Sequence, residues 1–383
     1  MRAFVFTDKA LSRHAGQFVW LSIDTEKAQN ASFVKKYPIR AWPSFYVIDP
    51  NKETIALRWV GGATVSQLEK IFADGIRAAR GKPKGADEAL ARADLLYGAG
   101  KYAEAAPAYR EALRLMPRDA PQYARAAESL LFCLQSTDQH SECVRLARES
   151  LPRLRQTASA ANLAGSGLDC ALALPAAAPG RAEAIAALES EASAVIADRK
   201  LALAADNRSA LYGSLVSARE DAKDEEGSRR IARDWVAYLD GEAARVASAE
   251  QRTALDPNRL NAYRAAGEIE KAVPMLAQSE KDFPDDYNPP ARLAYVYLHL
   301  KRYDEALAAS DRALSLVYGP RKIRVFSTLA DIHKAKGDTE AAKKTLEDAL
   351  AYAESLPPGQ RSDSAIASLK KRLETLTAPG AGS

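Results

Sequence analysis

Leu95-Leu96-Tyr97-Gly98-Ala99-Gly100-Lys101-Tyr102-Ala103-Glu104-Ala105-Ala106, continuing through Tyr109, Ala112 and Leu113 to Pro117, is the stretch that decides the fold. Apolar residues recur at helical spacing on both sides of a short break that carries glycine, which reads as two helices joined by a tight turn. The pattern returns at Leu293-Ala294-Tyr295-Val296-Tyr297-Leu298-His299-Leu300-Lys301-Arg302-Tyr303-Asp304-Glu305-Ala306 and continues to Ala313 and Leu314. It returns again from Leu329-Ala330 through Gly337-Asp338 to Ala342, Leu346, Ala349 and Leu350. A weaker copy has Tyr263, Gly267, Ala272 and Leu276 and ends at Pro284. The turn positions Gly267, Lys301 and Gly337 are 34 and 36 residues apart. A period of about 34 residues belongs to stacked helix pairs, none of which can bury its apolar face alone. Ala105, Ala306 and Ala342 take the places where paired helices cross closely, and Tyr109 and Leu346 fill the next gap.

Outward from these units the pattern thins. Between roughly Gln122 and Glu250 helical periodicity persists, as in Leu130, Leu131, Cys133 and Leu134 and then Cys143, Leu146 and Leu151, punctuated by Pro175, Pro179 and Gly180. About three degenerate helix pairs are expected there. The repeats are assigned to residues 87–358, a capping helix to residues 359–376 with its core at Ser362–Leu376, and a disordered tail to residues 377–383.

These repeats resemble tetratricopeptide repeats. The resemblance implies a solenoid whose first helices line a concave surface for a protein or peptide partner. By helical phase Asp94, Tyr97, Asn288, Tyr295, Arg324, Asp331 and Lys334 point toward that surface. Its charges are mixed, and no stacked lysine–asparagine clamp is present.

The totals narrow the function classes. The chain has 383 residues with 54 basic and 50 acidic side chains, a net charge of +4 that is too balanced for a nucleic-acid or membrane-surface footprint. No apolar run approaches the roughly 20 residues of a membrane helix. Cys133, Cys143 and Cys170 are separated by 10 and 27 residues, with no C-x-x-C among them. They read as small buried hydrophobes rather than a disulfide framework or a zinc site. His14, His140, His299 and His333 lack metal-ligand spacing, no phosphate-binding or nucleophile-elbow motif occurs, and no cofactor is expected.

The first eighty residues differ in kind. Phe18-Val19-Trp20-Leu21-Ser22-Ile23 reads as a strand buried on both faces, and Thr25–Lys36 as a short helix. Ser44–Asp49 and Thr54–Val60 read as a hairpin across the turn Pro50-Asn51-Lys52-Glu53. Gly61-Gly62 ends it, and Thr64-x-x-Gln67 is a capping box ahead of a helix to about Arg80. Residues 81–86 read as a linker.

This order resembles the later two thirds of a thioredoxin fold, carried by Tyr37, Ile39, Pro43, Ser44, Phe45, Asp49, Gly61 and Gly62. The resemblance implies that Pro43 is a cis-proline and that Trp42 and Pro43 face a substrate. The fold class is therefore expected to be mixed: an incomplete thioredoxin-like α/β domain over residues 1–80, then an all-α tetratricopeptide-type superhelical solenoid, a combination found in bacterial proteins.

The family's first strand and its C-x-x-C would lie ahead of Met1. Three explanations stand open: a start placed too late, a degenerate domain kept as a cap, or a partner that adds the strand. The expected function is a protein-interaction scaffold of undefined oligomeric state with no catalytic residue. The alternative is a thiol–disulfide oxidoreductase whose C-x-x-C lies upstream. No signal-peptide core follows Met1, which suggests the cytoplasm; an upstream segment could redirect the chain to the periplasm or beyond.

Overall fold

The computed structural model describes residues 3–39, 42–81, 84–117 and 119–377. In chain order the elements begin with α1 (Ala31–Lys36), β1 (Ser44–Asp49), β2 (Thr54–Val60) and α2 (Val65–Arg80). Helix pairs follow: α3 (Ala86–Gly98) with α4 (Tyr102–Leu115), α5 (Tyr123–Gln135) with α6 (His140–Leu154), α7 (Ser159–Ala173) with α8 (Arg181–Ala197), and α9 (Ala205–Asp221) with α10 (Glu225–Arg245). After α11 (Ala249–Ala254) come α12 (Asp256–Ala265) with α13 (Ala272–Asp282), α14 (Asn288–His299) with α15 (Tyr303–Leu316), and α16 (Arg321–Lys336) with α17 (Thr339–Ser355). Helix α18 (Asp363–Thr377) ends the described chain. The expected disordered tail lies almost wholly outside the described residues.

One local device closes nearly every pair. Gly100, Asp138, Gly180, Lys223, Gly267, Lys301 and Gly337 have φ between 55° and 87°, and each lies between the two helices of one pair. In six of the seven pairs the next residue's N–H reaches back five residues, as from Lys101 to the Leu96 carbonyl (2.9 Å) and from Arg302 to the Tyr297 carbonyl (2.9 Å). This is the Schellman arrangement, which satisfies carbonyls that a helix end leaves orphaned. The pair α7–α8 uses a longer connection that ends on Gly180. Ala105 and Ala306 are fully buried at helix crossings, as is Tyr109 in the gap beside Ala105.

The chain forms two compact units, Met1–Phe18 with Tyr37–Arg245, and Val19–Lys36 with Val246–Ser383. In the first, β1 and β2 pair antiparallel from Ser44↔Val60 to Asp49↔Thr54, with an irregularity after Val47. The capping box at Thr64 and Gln67 opens α2. Leu57, Trp59, Leu68, Ile71 and Phe72 form a core with Val5 and Leu11. The hairpin is not separated from the repeats, because β2 packs on α3. A Cβ on Gly98 of α3 would stand 2.8 Å from Ile55 Cγ2, so the close approach of helix and strand requires glycine. Arg58 of β2 is fully buried, donates to the Tyr102 hydroxyl (2.8 Å), and lies 5.3–5.8 Å from the ring centres of Tyr46, Tyr97 and Tyr102.

Three expectations change. The two strands are the only sheet among the described residues, which falls short of the thioredoxin-like domain that the resemblance implies. Phe18–Ile23 forms no strand: Val19 is 88% exposed and Leu21 70%. A strand needs another strand beside it to complete its ladder, and among the described residues no strand pairs with this segment. The helix read over Thr25–Lys36 shrinks to a 3₁₀ turn at Ala28–Asn30 and the short α1.

In the second unit α14 packs on α13 and α15, α16 on α15 and α17, and α18 covers α17. Its last core joins Ala330, Leu346, Ala349, Ala353 and Leu369.

Candidate partner-binding surface

The residues that sequence phase assigns to a partner lie on the first helices of three pairs, α3, α14 and α16, and the two units treat them differently. In the first unit these positions are consumed internally. Asp94 and Tyr97 of α3 are 1% and 2% exposed, so neither faces a groove. Arg125 of α5 grips Asp94 with two hydrogen bonds (2.8 and 3.0 Å) and Asp74 of α2 with a third (2.9 Å). The Tyr109 hydroxyl donates to the same Asp94 carboxylate (2.6 Å). Burial opposes the charge on Arg125, but Asp94 and Asp74 outweigh it and hold the guanidinium firmly protonated. Tyr97 packs its ring against Tyr102, Tyr109 and Phe132.

Arg125, on the first helix of the next pair, covers the face of α3 that carries Asp94. Asp94, Glu128 and Asn162 are spaced 34 residues apart and form a polar ladder across α3, α5 and α7. Asn162 donates to Glu128, as Arg125 does to Asp94. Burial pushes the Glu128 carboxyl up to about 6, with Ser159 and Asn162 offsetting only part of it. The 34-residue spacing was the signal that could have found this ladder.

In the second unit the surface stays open in part. Asn288 and Tyr295 of α14 are half-buried, and Arg324 and Lys334 of α16 are exposed. Tyr295 packs its ring on His299, 4.3 Å between centres. Between Asn288 and Tyr295, Arg292 makes a long contact to Asn288 (3.5 Å), and burial lowers the pKa of its guanidinium. Asp331 is exposed as well and accepts from Arg372 of α18 (2.6 Å). A cleft of about 230 Å³ there brings Asp331 and Lys334 together with Ser368, Lys371 and Arg372. A second cleft, of about 460 Å³, is lined by Arg252, Asp256, Arg259, Tyr263, Lys271 and Met275 of α11 to α13. Asp256 on its wall accepts from Ser279 (2.7 Å), and burial raises its carboxyl to about 6.

Trp42 is 57% exposed and its bond to Pro43 is cis; the Pro43 carbonyl accepts from the Gly61 N–H (2.9 Å). The three cysteines lie on α5, α6 and α7.

The cysteines depart from the sequence reading. Cys143 of α6 and Cys170 of α7 form a disulfide with Cα atoms 6.2 Å apart, and only Cys133 remains a free buried thiol. Antiparallel packing of α6 on α7 brings together residues that 27 positions of sequence separate. Burial pushes the Cys133 thiol up to about 12. Among the described residues no group of three or more His, Cys, Asp and Glu side chains could hold a metal ion, and no helix is long and apolar enough to cross a membrane.

Residues 287–355, which span α14 to α17, match the tetratricopeptide repeat family model. No curated protein matches the chain. Among solved structures it is similar to a tetratricopeptide repeat protein from Parabacteroides merdae, at 10% identity over 77% of this chain and all of that one, with a TM-score of 0.47. It is also similar to a thermophilic TPR protein of Thermus thermophilus (16% identity, 76% of this chain and 98% of that one, TM-score 0.28). A third is the yeast Sti1 TPR2AB domain in a pHSP90 complex (14%, 76% and 98%, TM-score 0.28).

Proposed function

We propose that this protein is a scaffold that holds a protein or peptide partner on its tetratricopeptide repeats. One observation carries this reading. Along α14 and α16, within the stretch that matches the repeat family, Tyr295, Arg324 and Lys334 stand on first helices without being absorbed into the core. Repeat arrays recognise partners through such continuous faces, with aromatic and arginine side chains as anchors.

Within this reading residues 1–80 are a thioredoxin-like remnant kept as a packing layer. Its support is the order of hairpin, Gly61-Gly62 and α2, together with the packing of β2 on α3. Trp42 and Pro43 would then add surface rather than line a reaction centre. Dithiol exchange needs a low-pKa thiolate beside a resolving thiol. Cys133 has the opposite environment, and the other two thiols are bonded to each other. No residue is assigned to catalysis and no cofactor is required.

The test is photo-crosslinking from position 324 in the full chain, followed by affinity measurement with the protein it traps. Replacing Arg324→Glu together with Tyr295→Ala should weaken binding about tenfold or more. Equal affinity for the variant and the parent would overturn the assignment of the partner to this face.

A further inference from the structure

Residues 24–36 belong to the second unit although they stand more than 200 positions ahead of its helices. They lie along an edge built from the start of α14, the loop into α16 and the loop into α18. The Glu26 carboxylate accepts from Arg321 Nε (2.9 Å) and from the Tyr287 hydroxyl (3.4 Å). The Tyr318 hydroxyl donates to Asp24 (2.5 Å). Gln360 Nε2 reaches two backbone carbonyls of the segment, Thr25 (2.9 Å) and Lys27 (3.1 Å). Two glycines let the backbones touch. A Cβ on Gly319 would collide with the Glu26 carbonyl, and one on Gly359 with the Ala31 carbonyl. Within the segment Asp24 accepts from the Glu26 N–H (2.9 Å), and Asn30 donates to the Asp24 carbonyl (2.7 Å), which fixes its bend.

These contacts are of two kinds. Arg321, Tyr287 and Tyr318 read two carboxylates spaced as Asp-x-Glu. Gln360 and the two glycines read backbone and exclude bulk. Side-chain amides on backbone carbonyls and glycines at points of close approach are how a protein binds a peptide in a set conformation. On the segment's N-terminal side the Val19 and Leu21 side chains are exposed, so the chain leaves the edge into solvent there.

We infer that this edge, formed by Tyr287, Tyr318, Gly319, Arg321, Gly359 and Gln360, is a peptide-recognition site. It takes an acidic Asp-x-Glu segment, and Asp24–Lys36 fills it in cis. A partner protein that presents the same pattern displaces the chain's own segment. The displacement step rests on the scaffold reading; the recognition chemistry does not.

The test uses the full chain. Glu26→Arg places two cations face to face and should release the segment, and adding Arg321→Glu should restore it. Gly359→Ala releases it with no change of charge. Chymotrypsin cleavage after Phe33 should quicken about tenfold in Glu26→Arg and in Gly359→Ala, and return to the parent rate in the charge-swapped double variant. A fluorescent peptide of residues 22–36 should bind Glu26→Arg at least about tenfold more tightly than the parent chain, and the double variant no better than the parent. Cleavage unaltered by Glu26→Arg and Gly359→Ala, or equal peptide binding by all chains, would overturn the site. That failure would leave the α14–α16 scaffold reading standing, since its crosslinking test touches none of these residues.

Discussion

Opening the Cys143–Cys170 bond isolates one well-defined contribution to stability. The bond closes a loop of 27 residues across α6 and α7. In the chain-entropy account such a closure removes about 12 cal/mol/K from the unfolded ensemble, or about 3.5 kcal/mol at 25 °C. The native side should change little, because α6 and α7 pack along their lengths without help from the sulfurs. A Cβ on Gly167 would stand 2.5 Å from that of Ala147, so the helices are already in close contact there. The expected loss therefore sits on the unfolded side and amounts to about 2–3.5 kcal/mol for the cooperative segment around these helices. Urea unfolding followed by circular dichroism, with and without reductant, reads it as a lower midpoint. Cys143→Ser with Cys170→Ser should reproduce the reduced midpoint and ignore reductant. Thiol titration in denaturant sets the premise: one reactive thiol before reduction, from Cys133, and three after. Three thiols before reduction, or a midpoint that reductant leaves in place, would refute the reasoning.

Three further outcomes are expected. Glu128 has a folded pKa of about 6 against an ordinary 4.5, so its contribution is full below pH 4.5 and is lost as pH rises through 6; the loss is about 2 kcal/mol. Glu128→Gln should remove that fall between about pH 4 and 7 in urea midpoints, and an undiminished fall would contradict it. Arg125→Met leaves Asp74 and Asp94 buried beside each other and should cost about 3–5 kcal/mol in thermal unfolding, part of it recovered by adding Asp74→Asn and Asp94→Asn. Lys301, at φ 58°, should gain about 0.5–1 kcal/mol when replaced by glycine, read as a rise in Tm; no gain would mean that the turn is relaxed with a side chain.

Sequence by itself determined whatever depends on residues within about five positions of one another. The hairpin bounds Ser44–Asp49 and Thr54–Val60 stand as read, as does the capping box at Thr64 and Gln67. So do the turns at Gly267, Lys301 and Gly337, whose left-handed backbones close their pairs. Their physics is local: turn chemistry, caps and the 3.6-residue period act through neighbours along the chain. Tertiary structure decided what covers each face. Helical phase turned Asp94 toward a concave partner surface, but Arg125 of the next pair closes that face and buries it. Apolar composition made Phe18–Ile23 a strand, but a strand exists only where another pairs with it. Spacing made Cys143 and Cys170 strangers, and antiparallel helices made them partners. Asp24 and Glu26 meet Tyr318 and Arg321 across nearly 300 residues. Such contacts are set by how elements stack and how long loops close, and no local pattern carries that information.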